Sequence, residues 1–396
     1  MGVMVSVVIP VYNSEKCLRG CLESLCGQSL ENIEMICVND GSTDGSWDII
    51  REYSARDKRV IGISQENAGA GAARNNGMRR AAGKYIIFLD SDDVFEKTML
   101  GMMANRLEST SADAAMCLAD SFDDATGRVC SGGWTMPREL LGGDDVFSPA
   151  DKKDVFFQTM QGWPWDKMFR REFIREHGIE YPDLPNSQDL VFNLRAMALA
   201  GRVCFVDRIL VHRRVNRSAS ISNSRAASFD SPYKAVRMLC DMLRADGVYD
   251  TFRYSLDRWS LNFLLWHLRT LGGEPQKQVY RLFREQWSRE LGFDNIPRET
   301  CNENDFNEYT AVMHSSYRKY IMSKKIKNAL KKILPPPKSA FDRESRLTAD
   351  NIAALRSELS AGLCAQDARI AELSAENERL RGEVERLSAI VEKNEK

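Results

Sequence analysis

Three carboxylates within four residues, Asp90, Asp92 and Asp93, follow a β-prone run, Tyr85-Ile86-Ile87-Phe88-Leu89, in the stretch KYIIFLDSDDVFE. So close together, they repel one another unless positive charge sits among them. A hard divalent cation, Mg²⁺ or Mn²⁺, suits such oxygen donors. It is usually held by one or two protein carboxylates and completed by substrate phosphates, so the cluster points to a nucleotide-diphosphate site rather than an all-protein cage. A solvated acidic turn capping a helix that starts near Glu96 is the other reading these residues allow.

The elements that must position this cluster are legible upstream. Residues 5–11 (VSVVIPV) are a nearly continuous β-branched run, as a strand covered on both faces should be, and residues 33–38, 60–64 and 85–89 read as three further strands. Between them, Ser14 is expected to cap a helix carrying Cys17, Leu18, Cys21, Leu22 and Leu25 at helical spacing, and residues 47–53 and 70–81 read as two further helices. This βαβαβαβ alternation predicts a right-handed, mostly parallel, doubly wound α/β sheet. Ligands bind such sheets at the carboxyl ends of the strands. There the strands run into Tyr12-Asn13, Asn39-Asp40-Gly41-Ser42, Gln65-Glu66-Asn67 and the Asp90 cluster, so carboxylates and amides should converge on one rim. The loop NAGAGAARN has Gly69 and Gly71 but no third glycine, and it follows the third strand, which argues against a dinucleotide fingerprint. It offers instead a helix N-terminus suited to phosphate, with Arg74 one turn in, either facing the rim or lying on the helix surface.

Further along, residues 114–118 read as a buried strand and 151–161 as a helix. In GWPWDKMFRREFI, Trp163 and Trp165 suit either a sugar-stacking platform or core packing. Gln188-Asp189 opens a helix with Leu190, Val191, Phe192, Leu194 and Met197 on its apolar side, where a carboxylate often serves only as a cap. Residues 203–206 and 209–211 are strand-like, and HRRVNRSASIS follows with His212, Arg213, Arg214 and Arg217. That loop can hold a diphosphate, His212 can add a metal ligand, or the whole can be solvated. Residues 228–333 are mostly helical. Residues 324–334 (KKIKNALKKIL) form a basic amphipathic helix that suits an anionic membrane surface or plain solvent exposure. In the tail, Ile370, Asn377, Val384 and Val391 at a, with Leu373, Leu380 and Leu387 at d, predict a parallel two-stranded coiled coil and hence a homodimer.

The 396 residues allow two or three domains with a substantial core. Lys and Arg number 55 against 56 Asp and Glu, which gives no argument for nucleic acid as a partner. No apolar run approaches the roughly 20 residues that span a bilayer, and the first strand begins without a basic-then-apolar leader. A cytoplasmic chain is expected, peripheral on the inner face of the membrane if the basic helix binds there. Ten cysteines without a CxxC pair read as reduced core residues, not as disulfides or a zinc site.

Residues 4–222 resemble the family 2 glycosyltransferases, which have the GT-A fold. The resemblance rests on VSVVIPVYN, VNDGSTDGS, QENAGAGAARNNGM and AAGKYIIFLDSDD in order and, more loosely, on WPWDKMFRRE, SQDLVFNLRA and HRRVNRSASIS. It implies a GT-A domain over residues 1–222, followed outside the resemblance by a helical region (223–334), a Pro-rich linker (335–344) and the coiled coil (345–396). It implies that Pro10, Tyr12, Asp40, Asn67, Arg74, Asp90, Asp92 and Arg214 bind the nucleotide-sugar. Tyr12 and Asp40 would contact the base, Arg74 the base and diphosphate, and Asp90 the ribose side. Asp92, with His212, would hold the metal, and Asp189 would be the catalytic base. The family usually has Glu-Asp where this chain has Gln188-Asp189. The implied activity is inverting, metal-dependent transfer from a nucleotide-sugar, a UDP-sugar first, to a hydroxyl of a glycan or lipid-linked acceptor in surface-polysaccharide assembly. A sugar-1-phosphate nucleotidyltransferase should instead show a Gly-rich, Arg-containing loop after the first strand, where this chain has PVYN. A non-catalytic scaffold should have lost the acidic cluster or Asp189.

Overall fold

The computed structural model describes residues 2–123, 126, 129–130, 138–215, 225–298 and 301–324. Arg217, the Pro-rich linker, the tail expected to coil and all but Lys324 of the basic helix lie outside the described residues.

The first half alternates as its pattern predicts: β1 (Val5–Val11), α1 (Glu15–Cys26), β2 (Ile33–Asp40), α2 (Ser46–Arg56), β3 (Val60–Gln65), α3 (Ala70–Arg80) and β4 (Tyr85–Phe88). All of β2, and all of β1 but Pro10, is buried, which is why both read as unbroken apolar runs. β3 alternates because it is the sheet edge. The helix expected near Glu96 begins later. A short strand, β5 (Val94–Phe95), leaves the acidic turn first, and α4 (Met99–Thr110) follows.

The chain then adds β6 (Ala114–Phe122), β7 (Val129–Cys130), β8 (Val146–Phe147), α5 (Phe156–Thr159), β9 (Lys167–Arg170), α6 (Arg171–Glu176), α7 (Gln188–Leu199) and β10 (Val203–Arg214). Where one helix was expected over residues 151–161, a 3-10 turn, Pro149–Lys152, and the short α5 stand instead. The two strands expected at 203–211 are one. Two irregularities, between Val206 and Ile209 and between Ile209 and Val211, take up the extra residues on either side of the Ile209–Leu118 pair, so β10 stays paired with β6 to Arg214.

The sheet order is β3-β2-β1-β4-β9-β6-β10-β5. β3, β2, β1 and β4 are mutually parallel, β6 and β10 are parallel to each other, and β9 is antiparallel to both β4 and β6. β6 and β10 therefore run in the same direction as β4, and all six strands end at one edge. β1 lies between β2 and β4, so the order reverses beside it. In open sheets a ligand crevice forms at such a point.

Beyond the sheet come α8 (Ser231–Ala245), α9 (Tyr249–Thr270), α10 (Gly273–Leu282), α11 (Ser288–Glu290) and α12 (Glu303–His314). They belong to the same unit as the sheet, which runs Met1–Tyr320. Arg195 on α7 pairs with Asp246 after α8 at 2.8 Å, and Phe252 on α9 meets Phe156 on α5 at 5.1 Å between ring centres. Among the described residues no helix is long and apolar enough to cross a membrane.

Candidate active site

Pro10 marks where the crevice opens. The last β1–β4 pair is Val8 with Phe88, closed by the Leu89 N–H donating to the Val8 carbonyl at 3.0 Å. Two residues on, the backbone of Pro10 faces the same side, where β4 has ended, so its missing N–H leaves no ladder bond unmade. Tyr12 follows on the rim with 52% of its surface exposed. Ser14 holds the N-cap position of α1 but does not cap it, contrary to expectation: its hydroxyl bonds the Tyr12 carbonyl and Ser91 Oγ, the latter at 2.8 Å. The strand-end loop of β1 is thereby tied to the acidic turn, while Asp44 accepts from the Glu15 N–H in its place.

Asp40, 2% exposed, braces the neighbouring loop. Its carboxylate accepts from Gln65 Nε2 (2.8 Å) and from the N–H groups of Ala68 and Gly69 (both 2.9 Å). Asn67 donates back to the Asp40 carbonyl at 3.0 Å. At Gly41, φ is +70° and a Cβ would lie 2.8 Å from the Asn67 nitrogen, so only glycine fits. These bonds set the start of α3, and α3 carries Arg74.

Arg74 is 5% exposed, and its Nη2 lies 2.6 Å from Asp90 Oδ1. It settles the choice left open by sequence: the side chain faces inward, not over the helix surface. Asp189, in the first turn of α7, is near enough to both that Arg74 draws its pKa down and Asp90 pushes it up; burial exceeds both, so the carboxyl stands above its ordinary range. Asp90, Asp92 and Asp93 each offer an oxygen within 4.8 Å of the others. Asp93 is 2% exposed, and burial, then Asp92 and Asp90, pushes it well above the ordinary carboxylate range. Such crowding is what a hard dication relieves, so this donor set fits Mg²⁺ or Mn²⁺.

The end of β10 closes over this turn. The Arg214 N–H donates to Asp93 Oδ1 and its Nε to the Asp92 carbonyl, both at 2.9 Å. His212 is not part of the carboxylate group, and this departs from the expected ligand set. Its two ring nitrogens face Asp120 at 2.7 Å and Glu96 at 3.0 Å, which satisfies both and raises its pKa. Trp165 is buried and Trp163 half-buried, stacked at 5.0 Å, with the Arg213 guanidinium 5.9 Å from the Trp163 ring. Core packing accounts for Trp165. The turn at Gly162 presses on Leu190 beside Asp189, and Lys167, paired with Asp166 in full burial, bonds the Trp163 carbonyl at 3.0 Å.

A family model described as "Glycosyl transferase family 2" matches residues 6–178. The putative glycosyltransferase EpsH of Bacillus subtilis is 34% identical over 261 residues, a match spanning 64% of this chain and 73% of EpsH. The chain belongs to the family 2 glycosyltransferases. Glycosyltransferase GlyA of Streptococcus pneumoniae is 30% identical over 54% of this chain but only 31% of its own length. Among solved structures, residues 1–349 of S. aureus TarS in complex with UDP-GlcNAc superimpose with a TM-score of 0.56, covering 80% of this transferase and 92% of that chain at 20% identity. That likeness extends the shared fold beyond the residues the family model matches.

Of the residues singled out by sequence, the fold sets Asp90 against Arg74, beside Asp92 and within electrostatic reach of Asp189, with Asp40, Asn67 and Arg214 bracing the neighbouring loops. Sequence reasoning named the three carboxylates of the acidic turn without separating them, and burial now sets Asp93 apart; it missed Tyr181, which lies beneath Arg74 in a stretch without any motif. An isolated aromatic between Glu180 and Pro182 gives no signal until its neighbours in space are known.

Proposed function

We propose that this glycosyltransferase moves a sugar from a UDP-sugar to an acceptor hydroxyl in one inverting step, with Asp189 as the base. The observation that carries the reading is the Arg74–Asp90–Asp189 group beside the acidic turn. It comprises a half-buried carboxylate of raised pKa beside a fixed cation and a set of metal-fitting oxygens. Asp92 and Asp93 would hold a divalent cation, which supplies Lewis-acid stabilisation of the departing diphosphate. Arg74, held by Asp90, adds fixed positive charge where negative charge grows on the leaving group. Asp189 takes the proton of the acceptor hydroxyl as the bond to C1 forms, and the raised pKa makes it a stronger base than a solvated carboxylate. The exposed ring of Tyr12 offers a face to the nucleobase. Trp163, held beside α7, offers a stacking surface for a glycan acceptor of the kind surface polysaccharides provide.

TarS binds UDP-GlcNAc in its crystal structure, so uridine donors are the first to test. The full chain is incubated with UDP-glucose, UDP-galactose, UDP-GlcNAc and UDP-GalNAc, with Mg²⁺, Mn²⁺ or EDTA, and UDP release is followed. Slow release from one donor, abolished by EDTA, is expected. Absence of both release and binding for every nucleotide-sugar offered, with metal present, overturns the reading.

A further inference from the structure

Tyr181 sits where the three elements that carry Arg74, Asp90 and Asp189 meet, and it is 3% exposed. Its ring stacks flat on Phe192, 4.0 Å between centres and 3° between planes, and Phe192 is one turn along α7 from Asp189. Phe88, the last residue of β4 and two before Asp90, meets it edge-on at 5.1 Å. The stacked face is taken, so the Arg74 guanidinium, 5.3 Å from the ring centre, lies over the other. The backbone is fastened as well. Asn75, next to Arg74 on α3, accepts from the Tyr181 N–H at 2.9 Å and donates to its carbonyl at 2.8 Å. Gly71 keeps the approach close, since a Cβ there would lie 3.2 Å from the Pro182 carbonyl oxygen and 3.4 Å from Tyr181 Cβ.

An ordinary core aromatic fills space between apolar neighbours. This one presents a π-face to a buried cation, and a desolvated guanidinium gains from such a face in a direction-dependent way. The hydroxyl takes no part: it is buried without a hydrogen-bond partner, so the ring alone does this work. We propose that Tyr181 is a positioning residue for the transfer reaction, its ring holding Arg74 against Asp90 and fixing the distance of Asp189 from both. The proposal rests on the function proposed above.

The test uses the full chain, with UDP affinity measured calorimetrically in Mg²⁺ and donor-hydrolysis kcat and KM measured alongside. Tyr181→Leu is expected to weaken UDP binding about tenfold and to lower kcat by at least as much, in line with loss of a desolvated cation–π contact. Tyr181→Phe should restore both to within about twofold of wild type and unfold at no lower temperature, because it removes an unsatisfied hydroxyl. In an Arg74→Met background, Tyr181→Leu should change UDP affinity by less than about twofold, since the cation it positions is gone. Phe192→Leu removes the surface beneath the ring without touching Tyr181, and its effect should show the same dependence on Arg74. The clamp is overturned if the Tyr181 and Arg74 effects multiply independently, or if Tyr181→Phe falls as far as Tyr181→Leu. A wild type that binds no nucleoside diphosphate overturns the site reading itself, and that result is seen before any variant is made.

Discussion

Asp189→Asn separates the chemistry of the cleft from its stability. A positioned general base contributes about 10²- to 10⁴-fold, or about 2.7 to 5.4 kcal/mol of barrier. For Asp189 as the proposed base, the upper half of that range is expected. Asp90, the carboxylate next to Asp189 in the cleft, is ion-paired to Arg74 at 2.6 Å and is a poor substitute. Asparagine cannot accept the proton, so kcat should fall by about 10³ to 10⁴ while UDP affinity holds. Stability should move the other way. Because the folded pKa of Asp189 is raised from 3.8, the folded chain binds more protons than the unfolded chain in the window above 3.8, and stability falls as pH rises through it. At neutral pH the anion costs stability, and Asn removes that cost. The assay is transfer or donor hydrolysis at saturating donor, with thermal unfolding at pH 7 and pH 4. A kcat within tenfold of wild type refutes the base assignment. A melting temperature lowered at pH 7 refutes the electrostatic account.

Three further outcomes follow from the same geometry. In Asp40→Asn an amide NH₂ would face a backbone N–H, so the 66–69 loop loses a bond and gains a buried orphan, costing about 1–3 kcal/mol; thermal unfolding and UDP calorimetry should both register it, and an unchanged protein would deny Asp40 its bracing role. Binding of Mg²⁺ or Mn²⁺ should release a proton, since a dication pulls down the raised pKa of Asp93, and metal affinity should strengthen as pH rises through that pKa; a pH-stat titration with no proton release removes Asp93 from the site. Gln188→Glu places a second carboxylate, 5% exposed, beside Asp189, which raises the pKa of the base and shifts the acid limb of the pH–rate profile to higher pH; an unmoved limb shows that the 188 side chain is electrostatically remote.

β1, β2 and β4 were legible because burial on both faces demands continuous apolar runs, and residues 5–11 delimit β1 to the residue. What escaped was non-local. β9 enters the sheet between β4 and β6, long after both in the chain, and no periodicity in KMFR announces an antiparallel partner for Tyr85 and Ala114. The β10 irregularities hid for a similar reason: exposed residues 207–209 look like a break until β6 is seen to continue pairing on both sides. Ser14 was legible as a helix boundary but not as a tether, because the partner of its hydroxyl, Ser91, is 77 residues away.

The same distinction holds for the cleft. Residue type told which side chains can do chemistry; burial decides how each behaves. Asp90, Asp92 and Asp93 are interchangeable as letters, yet one is neutralised by Arg74, one gives its carbonyl to Arg214, and one is buried and strongly perturbed. Arg74 could not have been told from a surface arginine by spacing. Its inward setting follows from Asp40 fixing the start of α3 and from Gly71 letting the 181–188 loop press against that helix. A cation on a mobile loop would pay its desolvation anew in every encounter, whereas one carried by a helix whose N-terminus is pinned stays aimed at Asp90 before substrate arrives. Preorganised charge of that kind is what a reaction that builds negative charge on a leaving diphosphate requires.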